Sequence, residues 1–322
     1  MQVILAQPRG FCAGVTRAIK IVERALAVHG APIYVRHEIV HNKTVVAELQ
    51  RRGAIFIENI EEVPDGATLI FSAHGIPRSE EARARSRNLT IYDATCPLVK
   101  KVHREVIRMH EAGKKILMIG HIGHPEVEGT MGQIDSGIRV VQTVRDVRAL
   151  PDLPGTDCAY VSQTTVSVDD AREVIDALRE KFPGISEPKK SDVCYATQNR
   201  QDAVKALARA VDLILVIGSV TSSNTNRLRE VSERQGVHAR LIDSAQNIDP
   251  SWLDGIEAVG ITAGASAPET LVSGVVQYLR DHFEVTAVTE LGHKEDRVAF
   301  PMPKGLWDSD LQTQDHEQSI KA

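Results

Sequence analysis

The stretch DATCPLV, residues 93–99, puts one cysteine at the end of an apolar strand and directly before a proline that can open a helix. Cys96 has no second cysteine at a CxxC or other local metal spacing, so this segment is not a self-contained metal knuckle. A helix N-terminus offers unpaired amide donors and the positive end of the helix dipole, which lowers a thiol's pKa and favours thiolate. A solitary thiol in that place needs partners that are distant in sequence and near in space.

Working outward, the same arrangement recurs. Cys12 and Cys194 also stand just before amphipathic helices, in FCAGVTRAIKIVERAL (11–26) and VCYATQNRQDAVKALA (193–208), as Cys96 does in TCPLVKKVHREVIRM (95–109). The three are 84 and 98 residues apart, close to a third of the chain. After each cysteine come a helix, a strand and a polar strand-to-helix loop. These loops hold His41, His124 and Ser222, at offsets of 29, 28 and 28 from their cysteines. Later in each third a strand ends in a second polar cluster, with His74, Thr164 and Ser266 at offsets of 62, 68 and 72. Such recurrence points to internal triplication, with a period too long for a solenoid.

Apolar β-rich runs such as QVILAQ, TLIFSAHG, KKILMIG, CAYVSQT, DLILVIG and AVGITAGA alternate with the helical patterns. The expected fold is therefore α/β: three pseudo-symmetric domains, each a small, mostly parallel sheet flanked by helices, around a central cluster. The expected boundaries are 1–96, 97–193 and 194–282, followed by a C-terminal segment and tail, 283–322. From Pro301 onward the chain turns polar and loses periodicity, and DSDLQTQDHEQSIKA reads as a solvated or disordered end. In parallel sheets ligand-facing groups collect at the carboxyl ends of the strands, so three such domains would aim three cysteines and six polar loops at one cavity.

A net charge of -5 with no compensating basic stripe argues against bulk nucleic-acid binding, and 4% aromatic residues leave little for base stacking. No apolar run reaches the length of a membrane span, and the start MQVILAQPRG lacks a secretory layout, so a cytoplasmic protein is expected. Four cysteines in such a chain point to metal or catalytic use rather than a disulfide framework. Cys158, inside a strand, reads as a small buried hydrophobe. The other three could hold zinc, with His124 or His74 as a fourth ligand. They could equally hold a cubane iron–sulfur group, one thiolate per iron, leaving one iron open to substrate. The ring of histidines, hydroxyls and a carboxylate favours the second, because a structural zinc module needs no such surroundings.

Each polar candidate also has a plain structural role open to it. Ser222, Ser223 and Asn224 can cap a helix as well as seat phosphate oxygens. Glu126 and Glu128 both suit the first turn of a helix starting at Pro125, but they point to different sides, and Glu126 lies nearer the strand end. Thr164 can cap the next segment or bind a substrate hydroxyl.

PRGFCAGV, YVRHEIVHNK, FSAHG, DATCPLV, GHPEVEGTMGQ, QTTVSVDDA, VCYATQNRQ, SSNTNRL and TAGASAPE together resemble the 4-hydroxy-3-methylbut-2-enyl diphosphate reductases. The likeness runs in order from the first residues to about Pro268, leaving out Cys158 and the tail. It implies one oxygen-sensitive [4Fe-4S] cluster on Cys12, Cys96 and Cys194 with one open iron. It implies a diphosphate pocket of His41, His74, His124, Ser222, Ser223, Asn224 and Ser266. Glu126 would deliver a proton and Thr164 would meet the substrate hydroxyl, with His124 beside them. The implied reaction is the two-electron reductive dehydroxylation of an allylic diphosphate to isopentenyl and dimethylallyl diphosphate, the last step of the non-mevalonate isoprenoid pathway. Electrons would come from a ferredoxin- or flavodoxin-type donor to a monomer or homodimer. With no Lys or Arg among the matched pocket residues, its positive charge should follow pH through the histidines. Other readings are a cluster-dependent hydro-lyase or quinolinate-synthase-like enzyme, and a non-catalytic iron–sulfur or zinc sensor. The polar ring speaks against the former, and no DNA- or partner-binding element supports the latter.

Overall fold

The segments TLIF (Thr68–Phe71), CAYVS (Cys158–Ser162) and LILVI (Leu213–Ile217) are buried at every position, which requires a sheet covered on both faces. A computed structural model of the chain, described over residues 1–296 and 298–307, shows that cover. In chain order the strands are β1 (Gln2–Gln7), β2 (Ile33–Arg36), β3 (Ala54–Ile57), β4 (Thr68–Phe71), β5 (Thr90–Asp93), β6 (Lys115–Ile119), β7 (Ile138–Val141), β8 (Cys158–Ser162), β9 (Leu213–Ile217), β10 (His238–Ile242), β11 (Ala258–Ala263) and β12 (Ala287–Gly292). The helices are α1 (Ala13–His29), α2 (Lys43–Arg51), α3 (Arg78–Arg85), α4 (Pro97–Glu111), α5 (Pro125–Met131), α6 (Val144–Arg148), α7 (Val168–Lys181), α8 (Tyr195–Leu207), α9 (Ser223–Arg234) and α10 (Glu269–His282).

Among the described residues these strands form three sheets, ordered β3-β2-β4-β5, β7-β6-β8 and β10-β9-β11-β1-β12, with every strand pair parallel. The α/β class and the three repeated units are as expected. Each sheet repeats one plan: the strand after the cysteine helix lies in the middle, its successor on one side and the third strand on the other. Two apolar clusters flank each sheet, for example one around Val102, Val106 and Met118 and one around Leu117, Val141 and Leu178 in the second unit. The edge strands β7 and β12 lack a continuous apolar run, and neither they nor the short apolar β3 (AIFI) were singled out by the sequence reading.

The units are joined cyclically. β5 pairs with β4 and leads into Cys96. Ser186 bridges Ala159 of β8 on the way to Cys194. β1, at the start of the chain, pairs with β11 of the third unit and leads into Cys12. The strand entering each cysteine thus belongs to the sheet of the preceding unit. The third sheet draws β1 from residues 1–96 and β12 from beyond 282, so the sheets cut across the expected contiguous boundaries.

Pro301–Trp307, where the chain turns polar and loses its periodicity, is nonetheless packed down: Leu306 is 1% exposed within the first unit's core and Met302 and Trp307 pack against it. Burying such a leucine contributes ~1.5–3 kcal/mol towards holding the segment down. The solvated end expected at DSDLQTQDHEQSIKA lies outside the described residues.

Candidate active site

The three cysteines occupy equivalent places. Cys12, Cys96 and Cys194 are the N-cap residues of α1, α4 and α8, the second with Pro97 in the first turn. Each cysteine amide donates to a carbonyl just past the third strand of the preceding unit: Ala265 at 3.1 Å, Ala73 at 3.0 Å and Thr164 at 3.1 Å. Cys12 Sγ accepts from the Val15 amide and Cys194 Sγ from the Thr197 amide, at 3.5 and 3.4 Å. All three thiols line one cavity, which His41, His74, His124, Glu126, Thr164, Ser222, Ser223, Asn224 and Ser266 also line. The structure thus brings together every side chain singled out from the sequence. Cys158 is apart from it, buried in β8.

Gly14 was missed by sequence reasoning. A Cβ there would sit 2.7 Å from Cys96 Sγ and 3.9 Å from Cys12 Sγ, so only a glycine lets α1 pass between the two sulfurs. No signal in the sequence marks it beyond its place two residues after a cysteine. Among the described residues, no group of three His, Cys, Asp or Glu side chains closes on a single ion. Three thiols around a shared space, each on its own helix start, fit a polynuclear thiolate-ligated group, one sulfur per iron.

Burial dominates the electrostatics of the site. It pushes the Cys96 thiol up to about 12 and the Cys194 thiol up to about 11, with Cys12 adding like-charge repulsion in both cases. At Cys96 and Cys194 the lowering expected from the helix N-termini is overcome by desolvation, a balance that a cationic group among the thiols would reverse. Burial also drives His74 well below its ordinary value and His124 down to about 3, and the neighbouring His41 adds to the effect in each. The expected pH-dependent positive charge on these two rings is therefore absent from the empty pocket at neutral pH.

The three rings form one group. His41 stacks on His74 with centroids 4.2 Å apart, and His124 stands edge-on to both. Glu38, also unforeseen, accepts from His41 Nδ1 at 3.0 Å and leaves His41 Nε2 buried without a partner. Asn224 Oδ1 accepts from the Ala265 amide while its Nδ2 is buried and unpaired. Buried polar atoms are seldom left unpaired, so these two mark where a ligand's polar atoms belong, an acceptor in the case of Asn224 Nδ2. Ser222 caps α9 through the Thr225 amide, as its plain structural role foresaw, and Ser266 donates to the His41 carbonyl at 2.9 Å, joining the third unit to the first. Among the described residues, no Lys or Arg lines the cavity.

Glu126 is 3% exposed, whereas Glu128 faces solvent. Its carboxylate accepts from the Thr164 amide at 2.6 Å and the Thr164 hydroxyl at 3.0 Å. Burial outweighs these two bonds and raises its pKa to about 7. An acid poised near neutrality can both hold and release a proton there.

The LytB protein family model matches residues 3–280 of this chain. The chain belongs to the LytB family. The matched span takes in every cavity residue named above and stops short of the C-terminal segment packed on the first unit. Within the family, the chain is 60% identical over 316 residues to the 4-hydroxy-3-methylbut-2-enyl diphosphate reductase of Bordetella pertussis, covering 98% of this chain and 97% of that one. Among solved structures it is similar to the E-1-hydroxy-2-methyl-but-2-enyl-4-diphosphate reductase of Plasmodium falciparum, with a TM-score of 0.92, 37% identity and coverage of 98% and 99%. It is also similar to an (E)-4-hydroxy-3-methyl-but-2-enyl diphosphate reductase described as the terminal enzyme of the non-mevalonate pathway. There the TM-score is 0.62 and the identity 34%, with 87% of this chain and 100% of that one covered.

Proposed function

We propose that this LytB-family protein reduces 4-hydroxy-3-methylbut-2-enyl diphosphate to isopentenyl and dimethylallyl diphosphate, and that the residues gathered in the cavity carry the reaction. The observation that carries the reading is the convergence, on one cavity, of three helix-capping cysteines, a buried carboxyl poised near neutrality and a histidine–hydroxyl wall with unpaired buried atoms. Cys12, Cys96 and Cys194 hold a [4Fe-4S] group with one open iron. When bound, that group supplies the electrons and a Lewis-acid position for the substrate's terminal oxygen.

The protein's own residues do the rest. His41 Nε2, His74, His124, Asn224 Nδ2 and the hydroxyls of Ser222, Ser223 and Ser266 take the diphosphate oxygens, aided by amides at the start of α9. That anchor fixes which end of the substrate faces the cysteines, so binding energy far from the reacting carbon sets its position. A proton held on Glu126 Oε2 has Thr164 Oγ1 3.0 Å away as the relay towards the departing hydroxyl. Two electrons and two protons are consumed in all: one proton leaves with the hydroxyl as water and the other goes to carbon. A ferredoxin- or flavodoxin-type carrier in the cytoplasm supplies the electrons.

The test is anaerobic purification with iron, sulfide and zinc analysis, followed by turnover with a chemical reductant. Serine at Cys12, Cys96 or Cys194 should remove most of the iron and sulfide, and Cys158→Ser should leave both unchanged. Zinc in place of iron, or loss of the metal in Cys158→Ser alone, would overturn the assignment.

A further inference from the structure

Each cysteine helix carries a basic residue shortly after its start: Arg17, Lys101 and Arg200 lie five, five and six residues beyond Cys12, Cys96 and Cys194. None lines the cavity, and each turns to the backbone just ahead of the next cysteine. Arg17 donates to the carbonyls of Ala94 and Thr95, both at 3.2 Å, and of Asp93 at 3.4 Å, immediately before Cys96. Lys101 donates to the carbonyls of Lys190 and Ser191, at 2.6 and 3.0 Å, and to the Asp192 carboxylate at 2.7 Å, two to four residues before Cys194. Arg200 closes the circle, donating to the Gly10 carbonyl from two nitrogens at 3.0 and 2.8 Å and to that of Phe11 at 3.4 Å, immediately before Cys12.

We propose that Arg17, Lys101 and Arg200 are positioning residues for the iron–sulfur group, a cyclic set of cationic clamps that fixes the three cysteine loops against one another, and that Arg17 also sets the group's reduction potential. This rests on the reading of Cys12, Cys96 and Cys194 as its ligands. Domain–domain adhesion alone does not require three clamps that each end on the residues preceding a cysteine, in the same cyclic order as the amide bonds to Ala73, Thr164 and Ala265. Arg17 differs in charge from the other two. Lys101 is paired with Asp192 and Arg200 with Glu295, whereas Arg17 has no carboxylate within ion-pair distance among the described residues. Burial pulls the Arg17 pKa below its ordinary value, while Asp93 and the Cys96 charge act to keep it cationic. A buried cation beside thiolates favours the form of the group that carries one more electron.

The test uses anaerobic holoprotein and reads three things: midpoint potential by electron paramagnetic resonance titration, rate of iron loss to a chelator, and unfolding of the metal-free protein. Arg17→Gln should shift the potential to more negative values and speed iron loss by about 10–100-fold, the usual cost of losing a ligand's supporting partner. Arg17→Lys keeps the charge without the fork, so it should restore the potential while iron loss stays fast. Lys101→Met should speed iron loss, and Lys101→Arg should bring it back to the parent rate. If Arg17→Gln and Lys101→Met lower only the stability of the metal-free protein, with potential and iron loss as in the parent, the clamps are structural and the inference fails. Should either variant not fold, Arg17→Lys and Arg200→Lys decide: parent-like iron loss in both overturns the inference. A parent protein without iron and sulfide would overturn the cluster reading and the clamps together. An iron-replete parent with unaltered variants overturns the clamps alone.

Discussion

Thr164 gives both its amide and its hydroxyl to the carboxylate of Glu126, at 2.6 and 3.0 Å, while its carbonyl accepts from the amide of Cys194 at 3.1 Å. One residue just past β8 therefore couples the buried acid to the loop that carries the Cys194 thiol. The acid cannot change its protonation or direction without Thr164 responding, and Thr164 cannot move without disturbing the Cys194 segment.

Glu126→Gln should keep both bonds, since the amide oxygen still accepts from the Thr164 N–H and the Thr164 hydroxyl can accept from the new amide. What it loses is the transferable proton. We expect a full complement of iron and sulfide, unaltered substrate binding and turnover slower by ~10²–10⁴. The exposed Glu128→Gln should stay within a few-fold of the parent. Anaerobic turnover normalised to cluster content checks both, and near-parent activity in Glu126→Gln would remove Glu126 from the mechanism.

The raised Glu126 pKa also predicts how stability follows pH. In the unfolded chain this carboxyl ionises near its ordinary 4.5, and in the fold only near 7. Between those values the folded state binds more protons, so stability falls as pH rises through the window and the loss is complete above it. The penalty at pH 8 is on the order of 3 kcal/mol. Urea unfolding of metal-free protein should show Glu126→Gln gaining on the parent at pH 8 and losing that advantage by pH 4.5. An advantage independent of pH would show that the carboxyl is not held neutral.

Burial keeps His74 and His124 neutral in the free pocket, so an incoming diphosphate should draw protons onto them. Binding of inorganic diphosphate, followed by calorimetry in two buffers of different ionisation enthalpy, should show net proton uptake at pH 7. Affinity should fall as pH rises from 6 to 8. His124→Asn retains an N-cap acceptor for α5 yet cannot be protonated, and its pH slope should be shallower. Equal slopes would place the anion elsewhere.

Gly14→Ala separates helix preference from site geometry. Alanine is the better helix former by ~1 kcal/mol, yet its Cβ would stand 2.7 Å from Cys96 Sγ. The circular dichroism of the metal-free variant should match the parent, while reconstituted iron and sulfide fall well below it. Full reconstitution would mean that α1 can shift without cost to the thiol arrangement.

Much of this was legible along the chain. Strand and helix periods, the cysteines before helices and the matched offsets of His41, His124 and Ser222 are local or repetitive features, and repetition implies common placement wherever the units end up. The plain readings held as well: Cys158 is core and Ser222 is a cap, which does not prevent the latter from facing the cavity. Edge strands such as β7 left too little apolar signal because one of their sides needs no cover.

What the sequence by itself determined is the α/β class, the threefold plan and which side chains face the cavity, because these follow from chain-local patterns of apolar and polar residues. Only the tertiary structure decided that β1 completes the third unit's sheet, that Leu306 is core rather than tail, that Gly14 must lack a side chain, and that Glu126 answers to Thr164. It also reversed the expected direction for the Cys96 and Cys194 thiols. A helix start acts on a cysteine through its own first turn, whereas desolvation is set by everything that packs around it, and those neighbours come from parts of the chain tens to hundreds of residues away.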